Sequence, residues 1–149
     1  MVIKKVDYYL ISNQVTDAKY KLASRLSNKL LRLKQKTLVV TDDKEQCENL
    51  DRIMWSFNDT SFVAHDHLNQ NSTPSKINIS PIKEVTLEAL SDDFNVLINL
   101  SNTVPDFSDQ FTRIAEIVES DESAKALARQ RFKLYKKQGF ELNTHTIEL

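Results

Sequence analysis

The chain has 149 residues, 40% hydrophobic and 28% charged, and its 20 basic side chains nearly balance 21 acidic ones, giving a net charge of −1. That length suits one domain, residues 1–149, with enough apolar content for a core. One glycine (Gly139) and three prolines (Pro74, Pro81, Pro105) exclude a glycine-rich phosphate-binding loop, and with it the familiar nucleotide hydrolases and dehydrogenases.

Residues 6–11 (VDYYLI) read as a strand, rich in aromatic and β-branched side chains. Thr16 predicts an N-cap for a helix running to about Gln35, with Leu22, Ala23, Leu26, Leu30 and Leu33 on one face. Residues 37–41 (TLVVT) are a short strand of the kind buried on both sides in a parallel sheet. Asp42 or Asp43 then caps a second helix that turns Cys47, Leu50, Ile53 and Met54 inward. Residues 61–64 (SFVA) suggest a strand and 69–75 (NQNSTPS) a polar loop. Residues 76–80 (KINIS) alternate like an edge strand, and 95–100 (NVLINL) form another buried one. A helical turn fits 105–110, and 113–118 (RIAEIV) favour a strand. Asp121 or Ser120 caps the last helix, which stops at Gly139. Strands alternating with helices predict an α/β fold, a mainly parallel sheet covered by helices on both faces.

Cys47 stands alone, so no internal disulfide is expected, and no run reaches the ~18 apolar residues of a membrane helix. A cytoplasmic protein is the expectation. His65 and His67 are spaced to share a strand face, yet His145 is the only other histidine, and loop histidines rather than a metal site account for the pair. Capping accounts for Asp42 and Asp43, and packing for the Cys47 thiol. Trp55 leaves the inward arc of its helix by about 100°, so it packs on a neighbouring loop or, the preferred reading, belongs to a partner surface.

The charge is polarised. Residues 17–36 carry +6 and residues 123–140 another +6, leaving −13 for the rest. In the first helix the bases read as spread over several faces, an ordinary solvated side. In the last helix Lys125, Arg129, Lys133 and Lys136 make one stripe at 100° per residue. Ala124, Leu127, Ala128, Leu134 and Tyr135 take the inward arc, with Phe132 at the border. The pattern alone leaves two readings open, a solvated face and a site for an acidic peptide with a hydrophobic anchor.

Four segments, VDYYLIS, TDDKEQCENLDRIMWSFNDTSFVAHDHL, VLINLS and LARQRFKLYKKQGFELNTHTIEL, carry a resemblance to a known family. Over essentially its full length the chain resembles the chi subunits of bacterial DNA polymerase III, accessory proteins of the clamp loader. The resemblance implies a single small Rossmann-like domain, a non-catalytic role, and neither cofactor nor metal. It implies two partners: the psi subunit, and the acidic, Phe-ended C-terminal tail of single-stranded DNA-binding protein. Nucleic acid would be met only indirectly, and no membrane is involved. For the tail, the matching positions are Lys125, Arg129, Phe132, Lys133 and Lys136, with Val118 lining a pocket for the terminal Phe. Phe132 stands where relatives often carry Tyr. For psi, they are Trp55, Phe62 and His65, while residues 69–92 depart most from the family. The alternative is a direct nucleic-acid-binding module using both basic helices. Near-zero net charge and the lack of interleaved aromatics on the first helix oppose it.

Overall fold

The structure is a computed structural model that describes residues 3–56, 66–68, 76–90 and 93–149. In chain order its elements are β1 (Lys5–Ile11), α1 (Ala18–Arg32), β2 (Thr37–Thr41), α2 (Lys44–Ser56), β3 (Asp66–His67) and β4 (Ile77–Pro81), then β5 (Val96–Asn99), β6 (Arg113–Val118), α3 (Glu122–Lys137) and β7 (Glu141–Ile147). The strands form one sheet in the order β3-β4-β2-β5-β6-β1-β7, and every pairing is parallel. The α/β architecture expected from the sequence is the one observed.

Alternation along the strands divides the core in two. On one face α1 and α2 cover Val39, Ile79, Ile98 and Ile117 with Leu22, Leu30, Leu50 and Met54. On the other, α3 and the segment around Phe107 and Phe111 cover Leu38, Val40, Leu97 and Ile114. Strands β2 and β5 are buried along their whole length, which is why they read as continuous apolar runs. Each buried Val, Leu or Ile side chain there contributes about 1.5–3 kcal/mol by leaving water.

Several boundaries differ from expectation. Thr16 is exposed and does not cap α1. Asp17 holds the N-cap position with φ 57, and its side chain makes no cap hydrogen bond. The helix ends at Arg32, not near Gln35. Lys34 adopts φ 58, and the backbone N–H groups of Lys34 and Gln35 donate to Leu31 and Leu30. Leu33 therefore falls beyond the helix and is 56% exposed instead of joining the inward face. Strand β4 is not an edge. The two-residue β3 pairs outside it, and its polar residues Asn78 and Ser80 are buried. Strand β7 was not foreseen, because its polar sequence ELNTHTI carries little apolar alternation. The strand expected at 61–64 and the loop at 69–75 lie outside the described residues.

The last helix follows its sequence signals. Asp121 accepts from the N–H of Ala124 at 3.0 Å. Gly139 has φ 92, and the N–H groups of Gly139 and Phe140 return to the carbonyls of Lys136 and Tyr135. Together these form the two-bond closure that favours glycine after a helix. Among the described residues no helix is long and apolar enough to cross a membrane.

Candidate functional site

Helix α3 lies across the sheet where β6, β1 and β7 are neighbours, and a groove of about 400 Å³ opens between them. Parallel register brings Leu10 beside Val118 and Tyr8 beside Thr144. These residues form the sheet side of the groove, while Ala128 and Phe132 close it from the helix. The Phe132 ring sits 5.5 Å from that of Tyr8. The lining is mainly apolar, with Lys125, Arg129 and Lys133 along the helix side.

Three of the four stripe residues thus border one cavity. Lys136 continues the row but does not line the groove. Lys125 Nζ lies 3.8 Å from Glu122 in an exposed pair one helical turn apart, an interaction worth little in water. Among the described residues, Arg129, Lys133 and Lys136 have no ion-pair partner. Val118, at the end of β6, is buried and lines the groove.

Beneath the groove lies a polar cluster that was not foreseen. Glu116, on β6, is fully buried and accepts from Arg131 Nε at 3.0 Å, Tyr135 Oη at 2.6 Å and Asn99 Nδ2 at 2.7 Å. Burial pushes its carboxyl above the ordinary range, while Arg131 and the hydrogen bonds from Tyr135 and Asn99 pull it back. Arg131, counted with the basic residues of this segment, is therefore an internal ion-pair partner. Leu134, placed on the inward arc, is instead 49% exposed. The signal was available: at 100° per residue Arg131 falls at the middle of the inward arc, and Glu116 interrupts an apolar strand. Tyr8 also contributes a buried hydroxyl with no hydrogen-bond partner among the described residues, and burial, helped by Glu116, raises its pKa.

The other candidates lie elsewhere. Trp55 is 57% exposed on α2, with Nε1 donating to Asp51 at 3.2 Å. Phe62 and His65 lie outside the described residues. Asp43 caps α2 by accepting from the N–H of Gln46, and Asp42 accepts from the N–H of Asn102 at 2.8 Å. Both carboxylates thus have structural work. Cys47 is buried with Sγ 4.0 Å from His67 Nδ1, and burial pushes its thiol up to about 12. Among the described residues no group of three His, Cys, Asp or Glu side chains is arranged for a metal ion.

A family model described as DNA polymerase III chi subunit, HolC, matches residues 3–143. The chain is similar to DNA polymerase III subunit chi of Pseudomonas aeruginosa, 28% identical over 143 residues, with 96% of each chain covered. It is similar to subunit chi of Haemophilus influenzae at 30% over 146 residues, covering 97% of this chain and 98% of the relative. It is also similar to subunit chi of Escherichia coli at 28% over 149 residues, with 97% and 99% covered.

Proposed function

Since the chain belongs to the DNA polymerase III chi subunit family, a family of replication accessory subunits, we propose that it acts in the cytoplasm as a non-catalytic adaptor. One face binds the psi subunit through Trp55, Phe62 and His65. The α3 groove binds the acidic, Phe-ended tail of single-stranded DNA-binding protein. The observation that carries the second half is a juxtaposition. An apolar groove lies against Arg129 and Lys133, which have no ion-pair partner among the described residues.

The chemistry follows from that arrangement. The terminal ring enters between Val118, Leu10 and Phe132, where burial of an aromatic side chain supplies most of the affinity. Arg129 grips the terminal carboxylate with its planar two-donor fork, and Lys125, Lys133 and Lys136 attract the acidic residues upstream. Because one single-stranded DNA-binding tetramer offers several tails, a weak individual contact still tethers the assembly through effective concentration.

Isothermal titration with a tail peptide, and with the same peptide amidated at its C-terminus, tests the assignment. Arg129→Ala is expected to lose about 2–4 kcal/mol of binding, the cost of leaving a charged partner unpaired. Arg129→Lys should recover only part, because an ammonium lacks the fork. If amidation costs nothing and Arg129→Lys binds like wild type, the stripe is a diffuse positive field and the carboxylate clamp is wrong.

A further inference from the structure

Helix α1 carries a second basic row, and the structure corrects the impression that its bases are scattered. Four of its five bases, Lys21, Arg25, Lys29 and Arg32, recur at i, i+4, i+8 and i+11. That spacing holds them within an arc of about 80°. The arc lies opposite the buried Tyr20, Ala23, Ser27 and Leu30. It therefore faces solvent: Arg25, Lys29 and Arg32 are exposed and Lys21 is half-buried. No acid occurs between residues 18 and 36. Among the described residues none of the four makes an ion pair or a side-chain hydrogen bond.

Helix electrostatics explain only half of this row. Cations in the last turn, Lys29 and Arg32, are favoured by the macrodipole, but Lys21 in the first turn faces its positive end. The first turn itself holds no acid, although Asp17 stands at the N-cap one turn before Lys21. The α3 row has the same spacing but borders an apolar groove, whereas among the described residues the α1 row has beside it only the exposed Leu33, just beyond the helix end. It offers charge without an anchor.

We infer that the outward face of α1 binds the phosphate backbone of single-stranded nucleic acid, weakly and without sequence preference. Successive cations are about one helical turn apart, a straight row of about 16 Å. A flexible single strand can follow such a row with successive phosphates, while a duplex backbone winds away from it. An acidic peptide would lack the hydrophobic anchor that the α3 groove provides. The inference does not rest on the tail-binding reading, since no α1 side chain lines that groove.

Fluorescence anisotropy with a labelled oligothymidylate across a salt series tests it. Four neutralised phosphates predict a log–log salt slope of about −3. The triple variant Arg25→Ala, Lys29→Ala, Arg32→Ala should bind at least about tenfold more weakly at low salt, with the slope reduced by about 2. Circular dichroism and the tail-peptide titration should be unchanged, which separates this contact from the α3 site. Four results would overturn the inference. These are no measurable binding by wild type, equal loss in the Lys125→Ala, Lys133→Ala variant, tighter binding of a duplex of equal length, and displacement of the oligonucleotide by polyaspartate at equal charge.

Discussion

Arg131 ties α3 to the sheet through Glu116, and the pair is desolvated on both sides, with side-chain exposures of 6% and 0%. Removing one partner from such a pair leaves a buried charge without compensation, so Arg131→Met should cost about 3–5 kcal/mol in urea unfolding. Adding Glu116→Gln to that variant should recover a large part, because the amide oxygen still accepts from Tyr135 and Asn99. The raised pKa of Glu116 also sets a sign for pH dependence. Folded, the carboxyl holds its proton to a higher pH than in the unfolded chain, so its contribution to stability falls as pH rises through that window. Wild type should therefore gain relative to Glu116→Gln as pH is lowered from neutral into the carboxylate range. A constant difference across the pH series would show that Glu116 titrates as it does unfolded. Residue type and segment charge hid this pair; the inward angle of Arg131 and the lone acid in IAEIV, taken together, reveal it.

Helices α1 and α3 close their C-termini in the same way, through a left-handed residue followed by two backbone bonds returning to the last turn. In α3 that residue is Gly139, the single glycine of the chain, and the stop was legible. In α1 it is Lys34, which no glycine marks, and the expected helix overran by three residues. A Cβ added at Gly139 meets nothing within 4 Å, so Gly139→Ala should be a pure backbone effect of about 1–2 kcal/mol in thermal unfolding. A larger loss would mean that the αβ connection itself had moved. The same contrast runs through the strands. Buried runs such as TLVVT and NVLINL announced themselves, because both of their sides face helices. The KINIS segment alternates and so imitates an edge strand, although β3 covers its outer side. In β7 exposure on the outer side leaves polar residues where sequence patterning expects apolar ones. The groove was legible on its helix side, where the stripe is periodic. It was not legible on its sheet side, where Tyr8, Leu10 and Thr144 come together only through register.

At the scale of the whole molecule the proposed partner surfaces sit on opposite faces of the sheet, Trp55 on the α1/α2 side and the groove on the α3 side. Distant substitutions without shared partners act independently. Trp55→Ala should therefore abolish co-purification with psi while leaving tail-peptide affinity and the unfolding midpoint unchanged. An unfolded variant, or one weakened toward the tail, would remove Trp55 from the proposed interface. Sheet order has a consequence of another kind. Strand β1 pairs only with β6 and β7, whose first partners lie 108 and 136 residues further along the chain. As the nascent polypeptide leaves the ribosome, β1 emerges before the other strands and has neither neighbour until β6, 108 residues further on, has been made. Its hydrophobic residues are exposed for longer than those of any other strand, and long-range parallel pairing is intrinsically slow. The groove needs β1, β6, α3 and β7 together, so it cannot form before β7 has been made.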